Sequence, residues 1–216
     1  MSSNEHIELK KGTTIVGIKC TDGIVMAADK KVTLGGRIIA HKEFEKVNIV
    51  TDNIALSMAG SVSDAQLLTK LLRAELKLRK IRTKREVSVK EAANLLGTIV
   101  YQNIRKFSPF LAVTAFLLGG TDEQGFHLYS IGMDGSVIGH DDVVTDGSGF
   151  MMAIAVFDTL YIKNIKVNEA IKLAVKAINA AIQRDTATGE GIDVITITKQ
   201  GAKKALSKQI ETKLIA

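Results

Sequence analysis

Residues 12–31 read GTTIVGIKCTDGIVMAADKK. From Thr14 to Cys20 β-branched residues alternate with smaller ones, the pattern of a strand. Asp22-Gly23 is a tight-turn dipeptide, and Ile24 to Ala28 is a second apolar strand, so the stretch predicts a β-hairpin. The first strand opens on Gly-Thr-Thr and the second ends on a charge, Asp29. Ahead of the threonines stand twelve mostly polar residues. Such a stretch is either a plain tail or a leader whose removal exposes a threonine amine.

Outward from the hairpin the chain stays β for some thirty residues more. Leu34-Gly35-Gly36 marks a loop, and Lys46 to Val50 with Ile54 to Ala59 forms another hairpin around Asp52-Asn53. The period then changes. Val62, Ala65, Leu68, Leu71, Leu72 and Leu76 recur at helical spacing. Ser88 with Glu91 predicts a capping box opening a second helix, with Ala92, Leu95, Leu96, Ile99 and Val100 on its apolar face. Phe110 to Leu118 reads as a buried strand. His127 to Ile131 and Val137 to Val144 read as two more, with Asp134-Gly135 as a turn. Ser148 to Leu160 predicts a third helix, and a fourth starts near Asn168 and carries Ile171, Ala174, Val175, Ile178 and Ile182. Ile192 to Thr198 is the last strand expected. Helix pairs set between blocks of strands predict an α+β fold of two packed sheets with helices outside.

Composition narrows the class. The chain has 216 residues, 46% apolar and 24% charged, enough for one domain with its own core. A single proline leaves no proline-rich linker, and the lone Cys20 excludes an internal disulfide framework and suits a reducing compartment. The longest apolar run, Phe110 to Gly119, is strand-length and far short of the roughly 20 residues of a spanning helix. The first twelve residues lack the apolar segment of an export signal. A cytoplasmic protein without a membrane partner is the expectation. The net charge is +6, and much of the excess is Lys70, Arg73, Lys77, Arg79, Lys80, Arg82, Lys84, Arg85 and Lys90. No aromatics interleave with that block, as stacking on single strands would want. It reads as a solvated helix face or a subunit contact, not a nucleic-acid site. His6, His41, His127 and His140 are scattered without ligand spacing, so neither metal nor other cofactor is expected.

Four local features carry chemistry. Gly12-Thr13 opens a strand. Asp29 closes an apolar run. Ala59-Gly60-Ser61 sits at a strand-to-helix junction, where a backbone N–H can face an anion. Gly147-Ser148-Gly149 and Arg184-Asp185-Thr186-Ala187-Thr188-Gly189 are polar, glycine-flanked stretches at helix ends. Singly each is weak. In this order the stretches GTTIVGIK, DGIVMAADKKVTLG, SMAGSVSDAQLL, TDGSG and AIQRDTATGEGIDV resemble the β subunits of archaeal-type proteasomes, members of the N-terminal nucleophile hydrolases. The resemblance spans Gly12 to Val194.

The resemblance implies a four-layer αββα sandwich and a threonine-type endopeptidase made as a zymogen. Residues 1–12 would be a propeptide removed by autocatalytic cleavage between Gly12 and Thr13, leaving residues 13–216 as one catalytic domain. Thr13 would supply both hydroxyl nucleophile and α-amine base. An α-amine titrates at about 8, so it can take a proton near neutrality. Asp29 matches the acidic position that pairs with a lysine beside the threonine. Lys46 is that lysine if the loop around Gly35-Gly36 carries one extra residue. Gly60 matches the oxyanion-hole donor, and Ser148, Asp185 and Thr188 match the polar set that orients the amine. The family often has serine where Thr188 stands. Thr33 matches the position that pairs with substrate backbone, and Val32, Phe44, Met58 and Val62 match an apolar pocket for large hydrophobic residues.

Partners implied by the resemblance are sister β subunits in a heptameric ring, α-type subunits stacked outside it, a separate unfoldase ATPase, and unfolded protein substrates degraded in the enclosed chamber. The related bacterial two-ring protease begins at its threonine with almost no leader and lacks the Gln183-Arg184-Asp185 stretch. The rival reading is an unprocessed, non-catalytic β subunit of a mixed ring. Lys203 to Ala216 lies beyond the match and receives no function.

Overall fold

The structure is a computed structural model that describes residues 12–108 and 113–210. Two five-stranded antiparallel sheets lie face to face. The first has the order β10-β1-β2-β11-β12, built from β1 (Thr14–Lys19), β2 (Ile24–Asp29), β10 (Val143–Gly147), β11 (Gly191–Thr198) and β12 (Gly201–Gln209). The second has the order β5-β6-β7-β8-β9, from β5 (Val47–Thr51), β6 (Ile54–Gly60), β7 (Thr114–Asp122), β8 (Gly125–Ile131) and β9 (Val137–His140). A short ribbon, β3 (Val32–Leu34) with β4 (Ile38–His41), stands apart. Helices α1 (Val62–Thr83) and α2 (Val89–Ile104) cover the second sheet, and α3 (Phe150–Leu160) and α4 (Val167–Arg184) cover the first.

The strand alternation explains the layering. In β2, Val25 and Ala27 pack under α3 and α4, whereas Ile24, Met26 and Ala28 face the other sheet. In β6, Ile54, Leu56 and Met58 pack under α1 and α2, whereas Ala55 and Ala59 face inward. β7 repeats this with Phe116 and Leu118 outward and Leu117 inward. Central strands buried on both faces read as near-continuous apolar runs. Three apolar clusters therefore separate four layers, αββα, as the resemblance implies.

Local chemistry sets the joins. The β1–β2 turn presents Asp22, whose Oδ1 accepts from the Val167 N–H at 2.9 Å and so satisfies an orphan donor at the start of α4. The Ser88–Glu91 capping box forms as expected: Ser88 Oγ accepts from Glu91 N at 3.2 Å, and Glu91 Oε2 accepts from Ser88 N at 2.9 Å. All nine residues of the basic block are exposed, along the outer side of α1 and just beyond it. Arg73 donates to the Ile49 carbonyl at 2.8 Å, and Arg85 forks onto Glu91 at 2.6 and 2.9 Å.

Three expectations need correction. Val137 to Val144 is not one strand: β9 ends at His140 and β10 begins at Val143, in the opposite sheet. The loop expected at Leu34-Gly35-Gly36 is present, as the turn of the β3/β4 ribbon. Thr198 does not end the strands, because β12 adds an edge strand alongside β11. Leu71, read as part of the apolar helix face, is 43% exposed. Phe110 of the predicted buried strand, the leader residues 1–11 and residues 211–216 lie outside the described residues, and the strand itself runs from Thr114 to Asp122.

Candidate active site

Thr13 immediately precedes β1 and is buried. Its placement depends on glycines in the TDGSG turn. Gly147 closes the β10 ladder opposite Thr14 with φ +96°, a conformation L side chains avoid, and a Cβ there would run into the Thr13 carbonyl oxygen. Gly149 comes so near Thr14 Oγ1 and Ala181 that a side chain would collide with both. Ser148, held between these two close approaches, is aimed at Thr13: its Oγ accepts from the Thr13 N–H at 3.2 Å.

From Ser148 a polar chain runs on. Ser148 Oγ donates to Asp185 Oδ2, and Thr188 Oγ1 also donates to Asp185 Oδ2, at 2.6 Å. Thr188 Oγ1 lies 2.7 Å from Thr14 Oγ1. Asp185 leaves α4 as its C-cap, with Oδ1 accepting from Ala187 N at 3.1 Å, so the loop after the helix is folded on that carboxylate.

The other half of the site is a buried ion pair. Lys46 Nζ lies 2.8 Å from Asp29 Oδ1, with side-chain exposures of 3% and 0%. Asp29 accepts three further hydrogen bonds, from the N–H groups of Thr14 (2.9 Å), Lys31 (3.1 Å) and Gly189 (3.0 Å). A carboxylate this deep persists only when so partnered. Burial pushes the Asp29 carboxyl up from its ordinary pKa, against the pull of Lys46 and the backbone donors. Burial likewise lowers the Lys46 ammonium, with Asp29 and, less strongly, Asp185 opposing and Lys31 adding to the fall.

The two halves meet at the Gly12 carbonyl. Its oxygen accepts from Lys46 Nζ at 3.1 Å and also from Thr13 Oγ1. A hydroxyl and an ammonium thus converge on the peptide bond that joins Gly12 to Thr13. Gly12 has no room for a side chain, because a Cβ would press on Thr33 Oγ1 and on Ala187.

Six residues singled out in the sequence, Thr13, Asp29, Lys46, Ser148, Asp185 and Thr188, therefore share one network centred on residues 12–14. Gly60 ends β6 at φ +111°, with the Val113 carbonyl where a Cβ would be, and stands outside the hydrogen bonds that link these six residues. Thr33 Oγ1 is buried without a hydrogen-bond partner and abuts Gly12. Phe44 and Met58 line a groove of about 230 Å³ whose other walls are Glu45, Asn48, Gln66, Thr69, Lys70 and Arg73. Val32 and Val62 are not among its walls, and the groove is more polar than four apolar residues suggest.

Sequence reasoning passed over Thr14 and Lys31, and named Gly189 only as the end of the Arg184–Gly189 stretch, without its bond to Asp29. Thr14 donates its N–H to Asp29 and engages Thr188 through its hydroxyl. Lys31 Nζ donates to the carbonyls of Thr186 (3.3 Å) and Thr188 (3.1 Å), pinning the loop that carries Asp185 and Thr188. The Thr-Thr doublet and the Asp-Lys-Lys run were the available signals.

Comparison with known proteins gives a consistent result. A family model described as "Proteasome subunit" matches residues 9–197. The chain is 41% identical over 206 residues to the proteasome subunit beta of Ferroglobus placidus, covering 95% of this chain and 96% of that one. It is 42% identical over 207 residues to proteasome subunit beta 1 of Thermococcus onnurineus, at 96% and 98% coverage. It is 42% identical over 210 residues to proteasome subunit beta 2 of Pyrococcus furiosus, at 97% and 98% coverage.

Proposed function

This chain belongs to the proteasome subunit family, and on that premise we propose that it is a catalytic β subunit whose nucleophile is Thr13, released by self-cleavage after Gly12. The observation that carries the reading is the double engagement of the Gly12 carbonyl oxygen by Thr13 Oγ1 and Lys46 Nζ. In the cleavage step the Thr13 oxygen attacks the Gly12 carbonyl carbon. Negative charge develops on the carbonyl oxygen, where the Lys46 ammonium already sits. Donors fixed on such an oxygen before the reaction are worth about 3–4 kcal/mol of barrier each. The Gly12–Thr13 C–N bond breaks with the proton passing to nitrogen, and the acyl group moves to the threonine oxygen as an ester. Water hydrolyses the ester, giving the Gly12 carboxylate and a Thr13 with free hydroxyl and free amine.

The mature site reuses the same parts. The freed amine takes over the place of the Thr13 N–H beside Ser148 Oγ, and Ser148 is oriented by Asp185. That amine is the general base for its own hydroxyl, and the Lys46 cation favours its neutral form. Peptide bonds of unfolded chains are then cut through a Thr13 acyl ester, with the Gly60 N–H as the second oxyanion donor. Thr33 pairs with substrate backbone as an added strand would. Phe44 and Met58 contact the side chain before the scissile bond. Until Gly12 leaves, the base is an amide and the site is silent. The subunit works in the cytoplasm, within β rings capped by α-type rings and fed by an unfoldase.

The test is the intact mass of the full chain after co-expression with an α-type subunit, beside Thr13→Ala. The reading expects loss of residues 1–12 from the parent and retention of all residues by the variant. An assembled particle in which the parent keeps its leader refutes it and favours a non-catalytic structural β subunit.

A further inference from the structure

One residue outward from the Asp29–Lys46 pair lies a second buried ion pair, Lys30–Asp193, which the more exposed Lys204 and Glu45 extend. Lys30 Nζ sits 3.1 and 3.2 Å from the two oxygens of Asp193 and 3.2 Å from Ser207 Oγ. The side chains of Lys30 and Asp193 are 9% and 1% exposed. Lys204 Nζ approaches the same Asp193 at 3.6 Å and donates to Glu45 Oε1 at 2.6 Å. Glu45 precedes Lys46, as Lys30 follows Asp29. The chain of charges Lys30–Asp193–Lys204–Glu45 therefore joins the same two segments as the reacting pair, by a parallel route through β11 and β12.

Three details show a built arrangement. The backbones of the two segments are already tied, with Phe44 N donating to the Lys30 carbonyl at 3.1 Å. Gly191 leaves room for the lysine, since a Cβ there would stand 2.8 Å from Lys30 Cδ. The third is the register of β12. Asp193 pairs with Ser207 and Val194 with Leu206, but Ile195 pairs with Lys204, leaving Ala205 as the extra residue of a bulge. Without that bulge Ala205 would oppose Ile195, and Lys204 would point to the other face. The bulge re-aims Lys204 to the face of Asp193 and Ser207. Lys30 and Asp193 also lie too deep to be retained without a partner for each charge.

We infer that Lys30, Asp193, Lys204 and Glu45 form a clamp that sets the reach of Lys46 to Gly12, with Asp193 and Lys204 as positioning residues and β12 as its carrier. The inference rests on the proposed role of Lys46 and deepens it. The side-chain hydrogen bonds and ion pairs of the four clamp residues run to one another and to Ser207, not to Gly12 or Thr13, so the clamp acts through the Asp29–Lys46 pair beside it.

Lys204→Met tests it, because Lys204 is 41% exposed and its loss leaves the Lys30–Asp193 pair intact. In the particle co-assembled with an α-type subunit, kcat for a peptide substrate falls ~10-fold or more, with KM changed less than about twofold, as misplacement of one catalytic group requires. Lys204→Arg restores most of the rate. The melting temperature of Lys204→Met stays within about 4 °C of the parent. An unchanged kcat, or a raised KM at constant kcat, overturns the clamp. A second readout does not depend on turnover. Crystal structures of Thr13→Ala with and without Lys204→Met should show Lys46 Nζ displaced from Gly12 O, with Ser148 and Asp185 in place. Superposable Lys46 side chains overturn the clamp even if the parent is active. A parent that never cuts, paired with a displaced Lys46, refutes the catalytic reading and leaves the clamp standing.

Discussion

Replacing Lys46 by alanine isolates the centre of the site. The substitution removes the ammonium from Gly12 O and leaves Asp29 fully buried with three backbone N–H donors in place of four partners. Stripping one partner from a buried ion pair costs about 3–5 kcal/mol. The three remaining donors, at 2.9–3.1 Å, put this case at the low end, about 3 kcal/mol. The cost depends on pH. Asp29 already has its pKa raised by burial, and loss of the lysine raises it further. A carboxyl with a raised folded pKa is relatively favoured in acid, and stability is lost as pH climbs from the unfolded value through the folded one. The Lys46→Ala deficit should therefore shrink at pH 4 and be full at pH 8. Asp29→Asn added to Lys46→Ala should recover part of it at pH 8, a coupling that a double-mutant cycle reads directly. Cleavage after Gly12 should slow by about 10²–10³, the worth of one oxyanion donor. Urea unfolding at both pH values gives the stability terms, and a mass-spectrometric time course gives the rate. Cleavage at the parental rate, or a deficit at pH 4 as large as at pH 8, would refute the reasoning.

Three further outcomes are expected. Gly147→Ala, at φ +96° against the Thr13 carbonyl, should lose at least about 2 kcal/mol in urea unfolding and block release of residues 1–12; a processed, stable variant would show that the turn tolerates a side chain. Glu91 is held at about 2, first by Arg85 and then by the Ser88 N–H, so its stabilisation is present above about pH 4.5 and lost as pH falls towards 2. Being partly in water, Glu91→Gln should cost only about 1 kcal/mol at pH 7 and nothing near pH 2, and an equal loss at both refutes the linkage. Burial, with Asp22 adding to it, pushes the Cys20 thiol up to about 12, so iodoacetamide at pH 8 should leave the folded chain unlabelled and react once it is unfolded in urea; labelling of the native protein would count against that burial.

The hairpin at Asp22-Gly23 and the capping box at Ser88 were legible because each is closed by residues within a few positions of one another. Val137 to Val144 misled because its strand-like character continues across a change of sheet, and only Asp141-Asp142 marks the crossing. β12 escaped because GAKKALSKQ is an edge strand: its lysines guard an open edge, and one-sided burial leaves little alternation to see. In the site, Thr13, Asp29, Ser148, Asp185 and Thr188 lie in short stretches that are each weak alone and gain their roles only from the family likeness of those stretches taken in order. The meeting of Lys46 with Asp29 is a contact between elements of opposite sheets, and no local pattern carries it. Its position emerged only from likeness to a family, with one loop residue allowed for.

The layer between the sheets has a consequence for how this protein fails. Ile15, Ala28 and Val47 belong to the cluster of described residues that fills the gap between the sheets, and each is the chain neighbour of a group in the reacting network: Thr14, Asp29 and Lys46. A methyl group lost from that filling moves anchors on both sides of the site at once. Val47→Ala, a cavity substitution with no atom in the chemistry, should therefore depress turnover more than its denaturation midpoint suggests. Inactivation in this subunit would then begin as a widening of the space between two sheets, well before either sheet comes apart.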